Sequence, residues 1–321
     1  MPELTVAAAQ YAPVYLDTAA TIEKCATIAD EASRRGVDLL VFPECFVSGY
    51  PEWVWRTRPW SKTARASYRL LFEQAIEVPG PDADALATIA RSHRLHLAVG
   101  VTERYGSTLY NTLLVFGPDG ALLLHHRKLM PTGGERLVWG SGDGSSVRAV
   151  ETPIGRIGGL ICWENYMPLA RTALYADDVQ IHLAPTWDSG DVWVPTLQHI
   201  AKEGRTYVIG ACQAFHTDDV PAGIPGREEM YPEPAWIARG LSTIVHPNGK
   251  ILAGPLADEE GLVVADIDVD NCADGRGLFD ATGHYARPDV FQLIVDRTPR
   301  RPVGERDTAN HVPGLEDAES G

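Results

Sequence analysis

The chain has 321 residues, 45% hydrophobic and 22% charged, with 28 Lys and Arg against 43 Asp and Glu and a formal net charge of −15. A chain of this length hides roughly 75% of its unfolded surface in a large core, and its composition is that of an ordinary globular protein. The negative charge argues against nucleic acid and anionic membrane surfaces as partners, because both reward clusters of Lys and Arg.

Residues 1–17 lack the basic and then apolar segments of a signal peptide, so none is expected, and no uncharged apolar run reaches the length of a transmembrane helix. Residues 4–11 form an apolar run of strand length. Asp17 then offers a helix N-cap, and Ile22, Cys25, Ala26, Ala29 and Ala32 recur at helical spacing until Gly36 ends the pattern. The short apolar run 38–42 ends in Pro43-Glu44. Helical periodicity returns over 62–76 and 83–92. Strands are predicted over 96–102, 111–116 and 122–126, the last two joined by the turn Gly117-Pro118-Asp119-Gly120. A loop over 133–145 precedes a second hairpin, 147–152 and 156–162, turned at Pro153-Ile154-Gly155. Helix 168–175, strand 179–183, helix 194–202 and strand 206–212 follow. Pro247-Asn248-Gly249 turns a third hairpin, and a strand over 262–267 leads into a short helix over 270–278.

Strands alternating with helices but interrupted by tight hairpins predict an α/β fold with a mixed sheet. No internal repeat or linker is visible, so residues 1–296 read as one domain. Residues 297–321 read as a polar C-terminal tail, mobile or docked on a partner. Cys25, Cys45, Cys162, Cys212 and Cys272 are odd in number and widely spaced, without a CxxC pair. They read as free thiols of a reducing, cytoplasmic setting, not as disulfides or a zinc site.

Three strand-like runs each deliver a reactive side chain at or past their C-terminal ends: Leu39 to Glu44, Leu122 to Lys128, and Ile157 to Cys162. Strand ends of α/β folds face the crevice where ligands bind, which lets a carboxylate, an ammonium and a thiol meet in one pocket. The carboxylate is suited to take the thiol proton as a general base. The ammonium would stabilise the thiolate and the charge that develops on a substrate heteroatom during attack. Taken singly, Cys162 is more often a buried core cysteine, Glu44 a strand-end charge or helix-cap partner, and Lys128 a solvated cation.

These segments resemble the nitrilase superfamily, and within it the nitrile-hydrolysing branch. The similarity spans about residues 4–295 and is carried by Phe42-Pro43-Glu44-Cys45-Phe46-Val47-Ser48-Gly49-Tyr50-Pro51, His126-Arg127-Lys128-Leu129-Met130-Pro131-Thr132, Glu135-Arg136-Leu137-Val138-Trp139-Gly140 and Cys162-Trp163-Glu164-Asn165-Tyr166-Met167-Pro168. Ala184-Pro185-Thr186, Glu203-Gly204-Arg205 and Gly283-His284-Tyr285-Ala286-Arg287-Pro288-Asp289 add to it. The resemblance implies a four-layer α-β-β-α sandwich with two mixed sheets, and a Glu44, Lys128 and Cys162 catalytic trio. It gives Glu135 a supporting role toward Lys128. It further implies subunits that pair through helices into a homo-oligomer, with spiral extension in doubt because the chain past Pro288 is short. Trp163-Glu164-Asn165 after the cysteine is similar to the nitrile branch and not to the amidase and carbamoylase branches.

The activity so implied is hydrolysis of a carbon–nitrogen bond other than a peptide bond. A small-molecule nitrile becomes a carboxylic acid and ammonia through a thioimidate and a thioester on Cys162. Lys128 and the Trp163 backbone N–H would oppose charge on nitrogen. No metal or organic cofactor is expected, because a lysine supplies the polarising charge. An amidase or carbamoyl-amide hydrolase with the same trio, and a catalytically silent oligomeric binding protein, are the competing readings.

Gly140-Ser141-Gly142-Asp143-Gly144 lacks the GK[ST] ending of a phosphate loop and reads as a flexible loop. His125 and His126 alternate across a strand and are expected to be structural, as is Cys45 beside Glu44. Tyr50, Trp163 and Trp187 lie beside the matched segments, where they either line an apolar substrate pocket or fill the core. Trp187 next to Thr186 favours slim aliphatic nitriles or dinitriles. Trp53, Trp55 and Trp60 either cover the pocket mouth or make a subunit contact.

Overall fold

Alternate residues of the first strand face two different cores. In a computed structural model that describes residues 3–300, β1 (Leu4–Gln10) sends Val6 and Ala8 into one buried cluster and Ala7 and Ala9 into another, as the two-residue period of a strand requires. The chain continues through α1 (Thr18–Arg34), β2 (Leu39–Val41), α2 (Lys62–Gln74), α3 (Pro81–His93), β3 (His96–Tyr105), β4 (Thr108–Phe116) and β5 (Leu122–Arg127). The second half contributes β6 (Val150–Thr152), β7 (Gly155–Gly159), α4 (Pro168–Ala176), β8 (Ile181–Thr186), α5 (Trp193–Gly204), β9 (Tyr207–Cys212), β10 (Ala214–His216), α6 (Arg227–Met230), β11 (Trp236–Val245), β12 (Ile251–Ala257), β13 (Gly261–Ile267) and α7 (Asp270–Leu278).

The helices begin where side chains satisfy their first free N–H groups. Asp17 accepts from Ala20 N at 3.0 Å, and Ser61 accepts from Ala64 N at 3.1 Å. Pro81 opens α3 with Asp82 and Asp84 in its first turn, and Arg94 in the left-handed region closes it.

Two mixed sheets result. One is ordered β13-β1-β2-β3-β4-β5. The other is ordered β10-β11-β9-β8-β7-β6, with β12 added on β11. Each has a parallel centre, β1-β2-β3 in the first and β7-β8-β9 in the second, flanked by antiparallel strands. Val41 and Leu113 of the first sheet pack against Ile157, Leu183 and Ile209 of the second. The outer face of the first is covered by Cys25, Ile28 and Ala29 of α1 and Leu86 and Ile89 of α3. The outer face of the second is covered by Leu174 of α4 and by Leu197 and Ile200 of α5. The chain is therefore the expected α-β-β-α sandwich of four layers.

The structure departs from the sequence reading in specific places. The strand expected over 156–162 ends as β7 at Gly159, and Cys162 opens a 3-10 turn, Cys162–Tyr166. The cause lies in the next residues, whose side chains take over the backbone groups a ladder would have used: Asn165 Nδ2 donates to Leu160 O and Cys162 O, and Ile161 N donates to Glu164 Oε2. The loop expected over 133–145 holds a 3-10 turn, Gly133–Leu137, that carries Glu135. Of the tail expected over 297–321, residues 297–300 are described. Arg297 pairs with Asp177 at 2.7 Å and Arg300 N donates to Asp143 at 2.7 Å; the rest lies outside the described residues.

Candidate active site

Each matched side chain leaves the sheets where a strand stops. Glu44 follows β2 by three residues and Lys128 follows β5 directly. Cys162 follows β7 after two residues and sits at φ 52°, in the left-handed region. A non-glycine residue held there is strained, and such strain persists only where neighbours fix it; the Glu164 and Asn165 bonds do so. The Glu44 segment is held against β3 by Phe42 N donating to Ala98 O at 2.8 Å and Val47 N to Gly100 O at 3.1 Å. It comes so close that a Cβ on Gly100 would lie 2.3 Å from Pro43 O and 2.8 Å from Glu44 Cα.

Lys128 Nζ bridges two carboxylates, donating to Glu44 Oε1 at 2.7 Å and to Glu135 Oε2 at 2.8 Å, with all three groups buried. Glu44 also accepts Asn111 Nδ2 at 2.7 Å and the backbone N–H of Trp187 at 2.8 Å. Three of its roughly four acceptor positions are thus filled, which leaves room for one further proton donor. Glu135 is fixed by Thr132 N at 2.7 Å and by the Tyr50 hydroxyl at 2.7 Å, and Trp55 Nε1 donates to that hydroxyl at 3.1 Å. The Thr186 hydroxyl reaches Cys162 Sγ at 3.2 Å and accepts from Asp188 N at 2.9 Å.

The charges are unequal. Burial, followed by the charge of Glu44, pushes the Cys162 thiol well above its ordinary value, with Lys128 opposing, so the resting sulfur is a thiol. Burial also raises Glu44, against the pull of Lys128 and with added repulsion from Glu135. Burial alone would strip the proton from Lys128, but the carboxylates of Glu44 and Glu135 outweigh it and hold the ammonium charged. The result is a thiol beside a carboxylate of enhanced basicity and a locked cation, the pairing that proton transfer to a base during nucleophilic attack requires.

Cys162 opens onto a cleft of about 460 Å³ lined by Tyr50, Trp55, Glu135, Trp163, Trp187 and Asp188, among others. The three expected pocket aromatics therefore converge. Tyr50 is buried and stacks on Trp187 with centroids 4.4 Å apart and planes 7° apart, and half-exposed Trp163 donates its indole N–H to Asp188 at 2.8 Å. Of the other tryptophans, Trp55 joins this wall, whereas Trp53 and Trp60 line a separate groove with Tyr68 and Leu137. His125 and His126 point apart as expected, His125 to Glu103 and His126 to Glu164. Cys45 is buried in the core.

Glu164 is the residue that sequence reasoning missed. Its buried carboxylate accepts from Leu129 N at 2.6 Å, from Ile161 N at 2.7 Å and lies 3.1 Å from His126 Nε2. It thereby ties the residue after Lys128 to the residue before Cys162. Burial raises its pKa, but His126 and the two backbone N–H groups outweigh that and keep it ionised. Asn111, Asn165 and Gln213, whose Nε2 donates to Glu44 O at 2.8 Å, were missed as well. The available signal was polar residues inside apolar runs, such as Asn111 ahead of Leu113–Phe116.

Residues 5–276 match the family described as carbon-nitrogen hydrolase. The chain belongs to that family. This carbon–nitrogen hydrolase is 45% identical over 312 residues to the aliphatic nitrilase of Sinorhizobium fredii (strain HH103), covering 95% of this chain and 100% of the relative. It is 42% identical to nitrilase 2 of Arabidopsis thaliana over 302 residues, 92% of this chain and 89% of the relative. Among solved structures, Saccharomyces cerevisiae Nit3, a member of branch 10 of the nitrilase superfamily, superposes with a TM-score of 0.69 at 20% identity, covering 88% of this chain and 96% of Nit3. An amidase from Nesterenkonia superposes with a TM-score of 0.64 at 23% identity, over 86% of this chain and 94% of the amidase. At those identities the structures speak for the fold alone.

Proposed function

We propose that this carbon–nitrogen hydrolase is a nitrilase with Cys162 as nucleophile, Glu44 as general base, Lys128 as electrostatic stabiliser and Glu135 as the group that holds Lys128. The observation that carries the reading is the buried Glu44–Lys128–Glu135 chain placed beside a thiol that opens onto a cleft. The nitrilases at 42% and 45% identity over nearly the whole chain support it.

The reaction proceeds by addition of the Cys162 sulfur to the nitrile carbon as its proton passes to Glu44 and on to nitrogen, giving a thioimidate. Lys128 and the Trp163 backbone N–H oppose the charge on nitrogen. Water activated by Glu44 adds to the same carbon, and the tetrahedral species expels ammonia to leave a thioester. A second water releases the carboxylic acid and restores the thiol, so one nitrile and two waters give one acid and one ammonia. Trp187 stacked on Tyr50 narrows the cleft, which favours aliphatic nitriles. An ammonia assay over parallel panels of nitriles and amides tests the assignment: rapid release from aliphatic nitriles supports it, and rapid release from amides with inert nitriles replaces it with an amidase.

Two further features belong to the same reading. Leu169 on α4 and Tyr285, Val290, Phe291 and Leu293 farther along the chain are exposed around one largely apolar recess, which supports a homo-oligomer, since contiguous exposed apolar surface marks interaction sites. The five cysteines are all free and buried, which supports a reducing, cytoplasmic setting. No helix among the described residues is long and apolar enough to cross a membrane.

A further inference from the structure

We infer that Asp188 and the tryptophans around it form a cation subsite in the cleft, so that the enzyme prefers nitriles bearing an ammonium group over those bearing a carboxylate. The inference rests on the nitrilase reading and names the substrate class within it.

Asp188 is two hydrogen bonds from the nucleophile. Its backbone N–H donates to Thr186 Oγ1 at 2.9 Å, and that hydroxyl reaches Cys162 Sγ at 3.2 Å. Its carboxylate is half-buried in the cleft wall and accepts Trp163 Nε1 at 2.8 Å and Gly190 N at 2.7 Å. Both donors are neutral, so the charge is oriented but not cancelled. Among the described residues no cation pairs with Asp188, and no Lys or Arg lines the cleft. Arg239, whose backbone N–H donates to Ser189 Oγ at 3.3 Å, has its guanidinium engaged by both oxygens of Asp258 at 2.8 and 2.6 Å. The other lining carboxylate, Glu135, is already bound to Lys128.

The remaining wall is aromatic: Tyr50, Trp55, Trp163 and Trp187. Indole faces carry negative potential and attract cations, and a carboxylate set among such faces strengthens that attraction where water is scarce. An anionic substrate meets the reverse. It faces Asp188 at the wall and, deeper, two carboxylates sharing one ammonium.

The test compares three nitriles of equal chain length, ending in an ammonium, a methyl and a carboxylate group, by kcat/KM from ammonia release at neutral pH. The ammonium nitrile is expected to exceed the cyanocarboxylate by about tenfold or more, with the methyl nitrile between them. Raising the salt concentration should shrink that ratio, because a charge effect is screened whereas a shape effect is not. In Asp188→Asn, which keeps the size of the side chain and removes its charge, the ratio should fall toward one. Because it is taken within each enzyme, the ratio cancels any general loss from disturbing Trp163. Equal rates for the two charged nitriles, or a ratio that Asp188→Asn and salt both leave unchanged, would overturn the subsite while the methyl nitrile still reports nitrilase activity. If none of the three releases ammonia, the nitrilase reading fails and takes the subsite with it.

Discussion

At Cys162, burial and the charge of Glu44 both keep the proton on sulfur, which by itself works against catalysis. In the proposed mechanism the same carboxylate resolves the difficulty: Glu44 is raised by burial and by Glu135, so it is a better base than an exposed glutamate and is suited to accept the proton as sulfur attacks. Removing the proposed nucleophile by Cys162→Ala is expected to abolish ammonia release while leaving the unfolding midpoint close to that of the parent, as circular dichroism would show. A raised Glu44 also fixes a pH dependence. The carboxylate must be ionised to act, so kcat/KM should fall on the acid side at a pH above the ordinary glutamate value of about 4.3, and Glu44→Gln should remove activity at every pH. Glu164→Gln keeps the shape but cannot accept both backbone N–H groups and pair with His126. Misplacing reacting groups by about 1 Å costs on the order of 100-fold, so kcat should drop by roughly that factor with KM little changed. Steady-state kinetics in parallel with thermal denaturation separates this from unfolding.

Glu44, Lys128 and Cys162 were legible in the sequence because each ends an apolar run of strand length. Glu164 was not, because its role depends on two chain segments, at Leu129 and Ile161, that only the fold brings together. His182 was invisible for the same reason. It sits in β8, where its Nε2 hydrogen-bonds Asn165 Oδ1 at 2.7 Å, and Asn165 in turn shapes the Cys162 turn. Burial and Arg171 lower its pKa to about 3. The unfolded chain takes up a proton there near pH 6.5, whereas the folded chain does not until about pH 3, so stability is lost as pH falls through that window. His182→Gln should flatten the acid limb of a stability profile measured by urea denaturation; an unchanged limb would remove His182 from the explanation.

Strand ends set the geometry at the scale of elements. The parallel pairs β1-β2-β3 and β7-β8-β9 put the Glu44, Cys162 and Thr186 tips at the same edge of the sandwich, and β5 adds Lys128. Long periodic helices such as α1 and α3 were predictable to within a few residues, because apolar spacing and caps are local signals. The 3-10 turns at Cys162 and Glu135 were not, because side chains replace backbone ladder bonds there and leave no periodicity to read. β10 to β12 also went largely unread apart from the turn at Pro247-Asn248-Gly249 that joins β11 to β12. At Gly100, β3 lies so close to the Glu44 segment that no Cβ fits between them. Gly100→Ala should therefore cost about 1–3 kcal/mol in chemical denaturation and lower kcat beyond that loss, because the segment that yields carries Glu44.

For the whole molecule, the sandwich buries Glu44, Lys128 and Cys162 and leaves an aromatic-walled approach to the sulfur. The exposed apolar recess around Leu169 and Phe291 supports association of copies. Phe291→Asp is expected to shift sedimentation toward smaller species, and unchanged sedimentation would locate any assembly elsewhere. The central claim is chemical: carbon from the nitrile becomes bonded to one sulfur among five. Its most direct measurement is peptide mass spectrometry after acid quench of the enzyme mixed with an aliphatic nitrile. A mass gain confined to the peptide containing Cys162, and missing in Cys162→Ala, is the expected result; ammonia release with no adduct there, or with an adduct on another cysteine, would contradict the account.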